Sequence, residues 1–419
     1  LHPPTFFWRL PNPSGQLLHA PRGGPVRIGS TTAEASSAPD PPLAPDPPLV
    51  PDPGGQPFPS VPSGALPLDA PEVDAPQSIQ EHIRAIPAVH LPEDATQAAE
   101  MAALLLESGA VFSLYKFDVG TVDPDRWGYF RIDTGEQEPF FESPRRLSHL
   151  ERAQLLERIQ EYDAADVTEP TLSPWASNPI FVPKKDGDYR LCIDLRGVNA
   201  RTVKDRHPLP RVDDLLTDVR GARIFTTIDL KSAYNCVLVH PADRPKTAFY
   251  CGQGMRHFKR LAMGLANAPS WFQRFMERVL APLRDPAEPV PSKVCTFARS
   301  FLDDVIIYSR TWAEHLRHVR LVLAALKDAG LKVCADKCYW GRPSVLYLGH
   351  IVTGQGTFPN PKLCTAIQDF PQPGTVQQVR SFLGMCSFFR TYIPNFATMA
   401  APLHALTHNS RSGTPIAAR

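Results

Sequence analysis

The sequence predicts an α+β protein, with an antiparallel sheet core followed by a helical C-terminal unit. Two observations carry most of this prediction. Short apolar runs bounded by turn residues recur between residues 180 and 308, at strand length rather than helix length. Capping signals then open longer amphipathic segments, as in Ser148 with Glu151 and Thr311 with Glu314. A third observation is that Pro361 to Leu406 reads as two or three helices.

In chain order, Ala98 to Leu106 reads as a short helix, and Phe112 to Phe141 is aromatic-rich without a clear period. Behind Ser148, the apolar residues Leu155, Leu156, Ile159 and Tyr162 fall at helical spacing. Ile180 to Val182 and Tyr189 to Asp194 flank the polar Lys184-Lys-Asp-Gly187, so they predict a hairpin with an Asp-Gly turn. Strands are expected at Ile224 to Ile228, Val237 to His240 and Thr247 to Tyr250, and then at Arg299 to Leu302 and Val305 to Tyr308. Asn267-Ala-Pro269 opens a helix through about Leu283, and Gly330 closes the helix that Thr311 begins. A hairpin is expected near Leu346 to Val352.

Composition limits the remaining possibilities. Of 46 prolines, 20 lie in residues 1–78, where Pro-Asp-Pro recurs at 39, 45 and 51. Such a segment buries too little apolar surface to offset the entropy of ordering, so it is expected to be disordered. The expected organisation is this disordered segment at 1–78, an irregular segment at 79–146, the main domain at 147–352, a helical region at 353–407 and a polar tail at 408–419. Residues 1–30 hold three arginines and no acid, and residues 31–78 hold seven acids and no Lys or Arg. The total of +1 therefore leaves +5 for residues 79–419. That excess permits nucleic-acid binding without deciding for it. No signal peptide opens the chain and no apolar run reaches membrane-spanning length, so a soluble intracellular protein without membrane contact is expected. The eight cysteines are scattered, and neither Cys334 and Cys338 with His350 nor His315 with His318 makes a four-ligand set; buried reduced thiols are expected.

The chemistry concentrates in carboxylates. Asp303 and Asp304 stand side by side between apolar strand-like segments. Taken alone, an Asp-Asp pair is more often a surface turn. Neighbouring strand side chains face opposite sides, so two such acids converge on one site only at the turn of a hairpin. Their mutual repulsion then calls for a cation, and hard oxygen donors select Mg2+ or Mn2+. Asp229 ends another β-rich run and begins Leu230-Lys-Ser-Ala-Tyr234, a small-residue turn able to offer backbone N–H groups to phosphate. Three acids from two strand ends have the donors for in-line phosphoryl transfer with two metal ions.

Phe301-Leu-Asp-Asp304 resembles the Tyr/Phe-x-Asp-Asp box of reverse transcriptases, and Thr227-Ile-Asp-Leu-Lys-Ser-Ala-Tyr234 resembles their first catalytic box. Further boxes follow the order of the gypsy-type LTR retrotransposon family: Ser173-Pro-Trp-Ala-Ser-Asn-Pro179, Lys184-Lys-Asp-Gly-Asp-Tyr-Arg190, Leu195-Arg-Gly-Val-Asn199, Met263-Gly-Leu-Ala-Asn-Ala-Pro269, Leu348-Gly-His350 and Arg380-Ser-Phe-Leu-Gly384. The resemblance runs from about Phe130 to Leu406. It implies a right-hand polymerase of fingers, palm and helical thumb, acting as an RNA-directed DNA polymerase on a primed RNA or DNA template with dNTPs. It also implies that Asp229, Asp303 and Asp304 are catalytic and bind two Mg2+ ions, with Mn2+ as a substitute. Lys184 and Arg190 would hold the triphosphate, and Leu230, Ser232 and Ala233 would offer backbone to it. Tyr234 would exclude a ribose 2′-hydroxyl, Met263 and Gly264 would line the nucleotide region, and Leu348 and Gly349 would grip the primer. Taken without the family, Lys184 and Arg190 also fit a solvated hairpin, and Tyr234 a core position.

The sequence departs from the family pattern at three places. Leu261 to Leu265 reads Leu-Ala-Met-Gly-Leu where relatives often have Met-Pro-Phe-Gly-Leu. Phe301 replaces the commoner tyrosine, and a Pro-rich insert at Pro286 to Pro291 lengthens the interval before it. Asp133-Thr-Gly135 has the letters of an aspartic protease signature, but Glu136-Gln-Glu138 follows where an apolar strand belongs, so it is read as part of the pre-fingers stretch. The RNase H and integrase units expected in an intact element have no counterpart here. A fragment of a longer polyprotein, working in a cytoplasmic particle or the nucleus, is the expectation. A catalytically decayed remnant that binds nucleic acid without turnover is the alternative.

Overall fold

The computed structural model describes residues 78–115, 118–183, 189–252, 254–286 and 295–407. The Pro-rich segment up to residue 77, the Lys184 to Gly187 turn, the Pro-rich insert from residue 287 and the polar tail lie outside the described residues. Helices α1 (Ile79–Arg84), α2 (Ala95–Glu107), α3 (Pro124–Trp127) and α4 (His149–Ala164) precede the strands β1 (Thr168–Pro170), β2 (Pro179–Pro183) and β3 (Tyr189–Ile193). Then come α5 (Arg196–Arg201), α6 (Val212–Asp218), β4 (Ile224–Asp229), β5 (Phe249–Tyr250), β6 (Met255–Phe258) and α7 (Ala268–Leu280). The chain continues through β7 (Ala298–Phe301), β8 (Asp304–Ser309), α8 (Trp312–Asp328), β9 (Tyr339–Arg342), β10 (Ser344–Tyr347), β11 (His350–Thr353) and β12 (Gly356–Pro359). It ends in α9 (Pro361–Gln368), α10 (Val376–Phe388) and α11 (Phe396–Thr407). None of the helices among the described residues is long and apolar enough to cross a membrane.

The central sheet is antiparallel, in the order β7-β8-β4-β9. Strand β8 is buried from Val305 to Ser309, because both of its faces are covered. Side chains alternate along a strand, and the two covers differ accordingly. Val305 and Ile307 join Phe272, Phe275 and Met276 of α7 and Val319, Val322 and Leu326 of α8 in the main core. Ile306 and Tyr308 instead pack with Phe225, with Leu215 and Leu216 of α6, and with Val345, Tyr347 and Val352 of the β10-β11-β12 sheet. At about 25 cal/mol per Å2 of apolar surface, covering both faces is what makes an uninterrupted Val-Ile-Ile-Tyr run worth burying. Smaller antiparallel sheets, β1-β6-β5 and β2-β3, stand beside this layer.

Capping boxes hold the helices as the sequence indicated: Ser148 with Glu151 on α4 and Thr311 with Glu314 on α8, with Ser78 with Glu81 and Thr375 with Gln378 in addition. The C-terminal unit contains three helices, of which α10 and α11 share a small core of Val379, Leu383 and Ala400.

Residues 79–146 are not irregular as expected. They carry α1 to α3, and Met101, Leu105, Phe112, Val122, Phe130 and Ile132 all enter the main core. Phe112 bridges Val333 and Phe130 bridges Val239. These aromatic residues lack a period because they pack singly from loops. Two strand expectations also fail in part. Val237 to His240 makes only isolated bridges, and Thr247 belongs to a 3-10 helix, Pro241–Thr247, leaving Phe249–Tyr250 as the strand. Pro241 and Pro245 account for the change, since proline fixes φ and donates no ladder hydrogen bond. Helix α7 stops at Leu280, short of Leu283. The eight cysteines are unbridged, six of them buried.

Candidate active site

The antiparallel register sets Asp229 directly opposite Asp304, at the far end of a row that begins with Phe225 and Tyr308 and continues through Thr227 and Ile306. Directly opposed residues share one face of a sheet. The two carboxylates therefore leave the face opposite α7 and α8. Phe301 pairs with Asp304, so Leu302 and Asp303 form the two-residue turn of the β7-β8 hairpin. The turn is tight enough that Leu302 takes φ of 55°, a left-handed conformation that a branched side chain adopts only under about 1–2 kcal/mol of strain. Gln273 of α7, 1% exposed, holds it there. Its Oε1 accepts from Leu302 N–H at 2.8 Å, while its Nε2 donates to Ser300 O at 3.3 Å and to Glu277 Oε1 at 3.0 Å.

Asp303 acts on the ionisation of both of its neighbours. Burial raises the pKa of Asp229 from its ordinary value; Lys337 opposes the shift and the Asp303 charge adds to it. Asp304 keeps an exposed side chain, yet loss of hydration raises its pKa too, with Asp303 and then Asp229 contributing. The end of β4 is further fixed from the segment before β9: Cys334 N–H donates to Asp229 O at 3.0 Å, and Asp229 N–H points at Cys338 Sγ at 3.3 Å. Tyr234 stands half-buried against Phe272, ring centroids 5.3 Å apart, and burial together with the Asp303 charge pushes its phenol up to about 12.

A divalent cation fits the donor chemistry of this place. Oxygen donors are of the right kind, two of the carboxylates share a face, and their charge disfavours itself without a cation. No group of three or more His, Cys, Asp or Glu side chains among the described residues is gathered closely enough to form a finished metal cage. Because folding raises the pKa of Asp304, its ionised form weakens the fold, and the associated stability is present at acid pH and lost as pH rises through the folded-state value. Asp304→Asn should therefore melt higher than the parent at pH 7 in the absence of divalent ions. The difference should vanish below the ordinary carboxylate pKa of about 3.9. Thermal melts of both proteins in chelator across that range check this, and a variant less stable at pH 7 would contradict it.

The other expected residues are distributed as follows. Leu230 is buried, Ser232 takes φ of 45° and Ala233 starts a 3-10 helix, so the chain turns sharply just after Asp229. Met263 is 61% exposed, and its loop is held to α5 by Asn199, which donates to Gly264 O at 2.7 Å and accepts from Ala266 N–H at 2.8 Å. Leu348 and Gly349, φ 47° and 80°, form the two-residue turn of the β10-β11 hairpin. Tyr347, beside that turn, is buried in one cluster with Phe225 and Tyr308 of the strands that carry Asp229 and Asp304, and its phenol is raised by burial and then by Asp304. Arg190 lies on β3 opposite Val182 by backbone register, and Lys184 lies outside the described residues. Asp133 closes its own turn by accepting from Gly135 N–H at 2.9 Å. Sequence reasoning missed Gln273, Asn199 and Tyr347. For Gln273 a signal existed: it is a polar residue inside the buried stripe Phe272, Phe275, Met276 and Val279.

A sheet with acids at one end, helices on one face and a three-helix unit beyond defines a right-hand polymerase fold. Solved structures agree. The chain superposes on the foamy viral protease-reverse transcriptase in complex with an RNA/DNA hybrid with TM-score 0.69, at 21% identity over 82% of this chain and 44% of that one. For the foamy viral protease-reverse transcriptase dRH in complex with double-stranded DNA the TM-score is 0.71, at 22% identity over 84% and 59%. Residues 182–352 match the family described as reverse transcriptase (RNA-dependent DNA polymerase). This stretch is a reverse transcriptase domain, and it is of the gypsy type found in LTR retrotransposons. The chain is 40% identical to the retrovirus-related Pol polyprotein from transposon gypsy of Drosophila melanogaster, over 57% of this chain and 22% of that protein. It is 34% identical to the corresponding polyprotein from transposon 297 of the same fly, over 65% and 25%, and 32% identical to the transposon Tf2-3 polyprotein of Schizosaccharomyces pombe, over 54% and 16%. The chain thus spans about a quarter or less of the length of these relatives.

Proposed function

We propose that this chain is an RNA-directed DNA polymerase, extending a primer with dNTPs on an RNA or DNA template. The observation that carries the reading is the acid row: Asp229 opposite Asp304 on one sheet face, with Asp303 in the adjoining turn. In this reading residues 147–352 are fingers and palm and 353–407 the thumb. Asp229, Asp303 and Asp304 would hold two Mg2+ ions, or Mn2+ in their place. When bound, the metal supplies Lewis-acid chemistry, activating the primer 3′-hydroxyl and neutralising charge on the phosphates.

The chain's own residues bind and orient. Arg190 and Lys184 suit a triphosphate, one as a forked guanidinium and one as a point charge. The sharp turn at Leu230, Ser232 and Ala233 offers backbone N–H groups to the same phosphates. Tyr234 presents a ring, braced by Phe272, against the sugar, where a 2′-hydroxyl would collide with it. Met263 and Gly264, steadied by Asn199, would line the nucleotide, and the Leu348-Gly349 turn would grip the primer end. RNase H and integrase units belong to the intact element in this reading, and a cytoplasmic particle or the nucleus is the place of action.

Primer extension on an RNA template with dNTPs and Mg2+ or Mn2+ tests the reading. Template-dependent extension supports it. Retained template binding without extension under either metal would identify a decayed remnant instead. Within the same assay, Gln273→Leu should lower kcat about tenfold or more while leaving the affinity for primed template unchanged, because a half-buried N–H and a buried carbonyl lose their partner at the turn, a loss of about 1–3 kcal/mol. An unchanged kcat would remove Gln273 from the catalytic framework.

A further inference from the structure

We infer that Cys338 is a positioning residue of the acid row: its buried thiol stands in for a missing strand at Asp229 and holds the peptide from which that carboxylate projects. The inference rests on the polymerase reading and deepens it. Strand β9 pairs with β4 at Phe225 with Arg342 and at Thr227 with Tyr339, with a register shift between the two. Continued in the same register, the ladder would bring residue 337 beside Asp229, but Ala335–Lys337 is a 3-10 helix. The last peptide of β4 therefore has no strand to bond on that flank, and a half-buried backbone N–H left without a partner is costly.

Two cysteines close the gap. Asp229 N–H donates to Cys338 Sγ at 3.3 Å, the Cys338 thiol donates to Cys334 O at 3.1 Å, and Cys334 N–H donates back to Asp229 O at 3.0 Å. The three bonds form a ring in which one side chain, the Cys338 thiol, both accepts and donates. Cys338 is fully buried, and a thiol in such surroundings keeps the proton that Cys334 O accepts. On its other flank Asp229 pairs with Asp304 of β8. The sulfur thus fixes from one side the residue whose carboxylate meets its partner on the other. The setting of this peptide decides where the Asp229 oxygens stand relative to Asp303 and Asp304, and a misplacement of about 1 Å at a reacting centre can cost about a hundredfold in rate. A serine hydroxyl also accepts and donates, whereas an alanine methyl does neither.

The experiment compares Cys338→Ala and Cys338→Ser with the parent by two readouts. One is Mn2+ binding to the protein without nucleic acid, followed by electron paramagnetic resonance and assigned to the acid row by its loss in Asp303→Asn. The other is single-turnover extension of a primed RNA template. Cys338→Ala should weaken Mn2+ binding about fivefold and slow extension about tenfold, with the affinity for primed template unchanged. Cys338→Ser should bring both back to within about twofold of the parent. Cys386→Ala, which removes a buried thiol from α10, should change neither. If Cys338→Ala fails to fold, Cys338→Val takes its place and fills the site without a polar hydrogen-bonding group. Parent-level Mn2+ binding and rate in the alanine or valine variant would overturn the inference. So would a serine variant as impaired as these, because the sulfur would then contribute volume alone. If the parent binds Mn2+ at the acid row without extending the primer, the Mn2+ readout decides by the same two criteria. A parent that neither extends nor binds Mn2+ there would overturn the polymerase reading and this inference with it.

Discussion

Asp303→Asn is expected to abolish nucleotide incorporation while leaving the protein folded. The carboxylate sits in the exposed second position of the β7-β8 turn, so an isosteric amide removes charge without opening the core. What it removes is a donor to the proposed metal ions and one third of the negative charge that gathers them. Metal stabilisation of a phosphoryl-transfer transition state amounts to several kcal/mol. Losing about 4 kcal/mol corresponds to a rate loss of about a thousandfold at 1.36 kcal/mol per decade. Single-turnover extension under saturating primed template gives the rate, and circular dichroism confirms the fold. A variant that retains a tenth of the parent rate would contradict the role given to the acid row.

Gly330→Ala is expected to be the most damaging single methyl group in the molecule. Gly330 follows the C-cap of α8 with φ of 77°, where an alanine is strained by about 1–2 kcal/mol. Helix termination explains that much, and the sequence indicated it. The tertiary contact adds the larger part. A β-carbon on Gly330 would stand 1.9 Å from Thr121 O, and one on Gly120 would stand 2.1 Å from Gly330 O. Two backbones meet there with no flexible side chain able to yield. We expect a loss of at least about 3 kcal/mol in denaturant titration. Gly221→Ala, at φ of 80° with nothing within 4 Å of its β-carbon, isolates the strain alone and should lose about a third of that. Similar losses in the two variants would mean that the contact is not tight.

Beside this junction, Arg260 shows the same dependence on distant chain. Its buried guanidinium donates to Asp166 O, Gly120 O and Asn235 O, each at 3.0 Å, and to Thr121 Oγ1 at 3.2 Å. Burial lowers its pKa, but four acceptors keep its donors satisfied. In the sequence it is one arginine in a short basic stretch, Lys259-Arg260, and nothing local distinguishes it from a solvated one.

The chain's local chemistry determined the elements whose causes lie within a few residues. Capping boxes at Ser148 and Thr311, the apolar run through Ile306 and the paired acids at 303 and 304 are readable because hydrogen-bond capping, side-chain alternation and like-charge repulsion act over short spans. Only the folded chain decided what depends on partners remote in sequence: Asp229 facing Asp304 across the strand pair, Gln273 bracing a turn 29 residues away, and an apparently irregular N-terminal stretch filling the core with Phe112 and Phe130. Such contacts are set by close packing, which is a property of surfaces meeting in space, and strand periodicity or composition carries no record of which surface will be met.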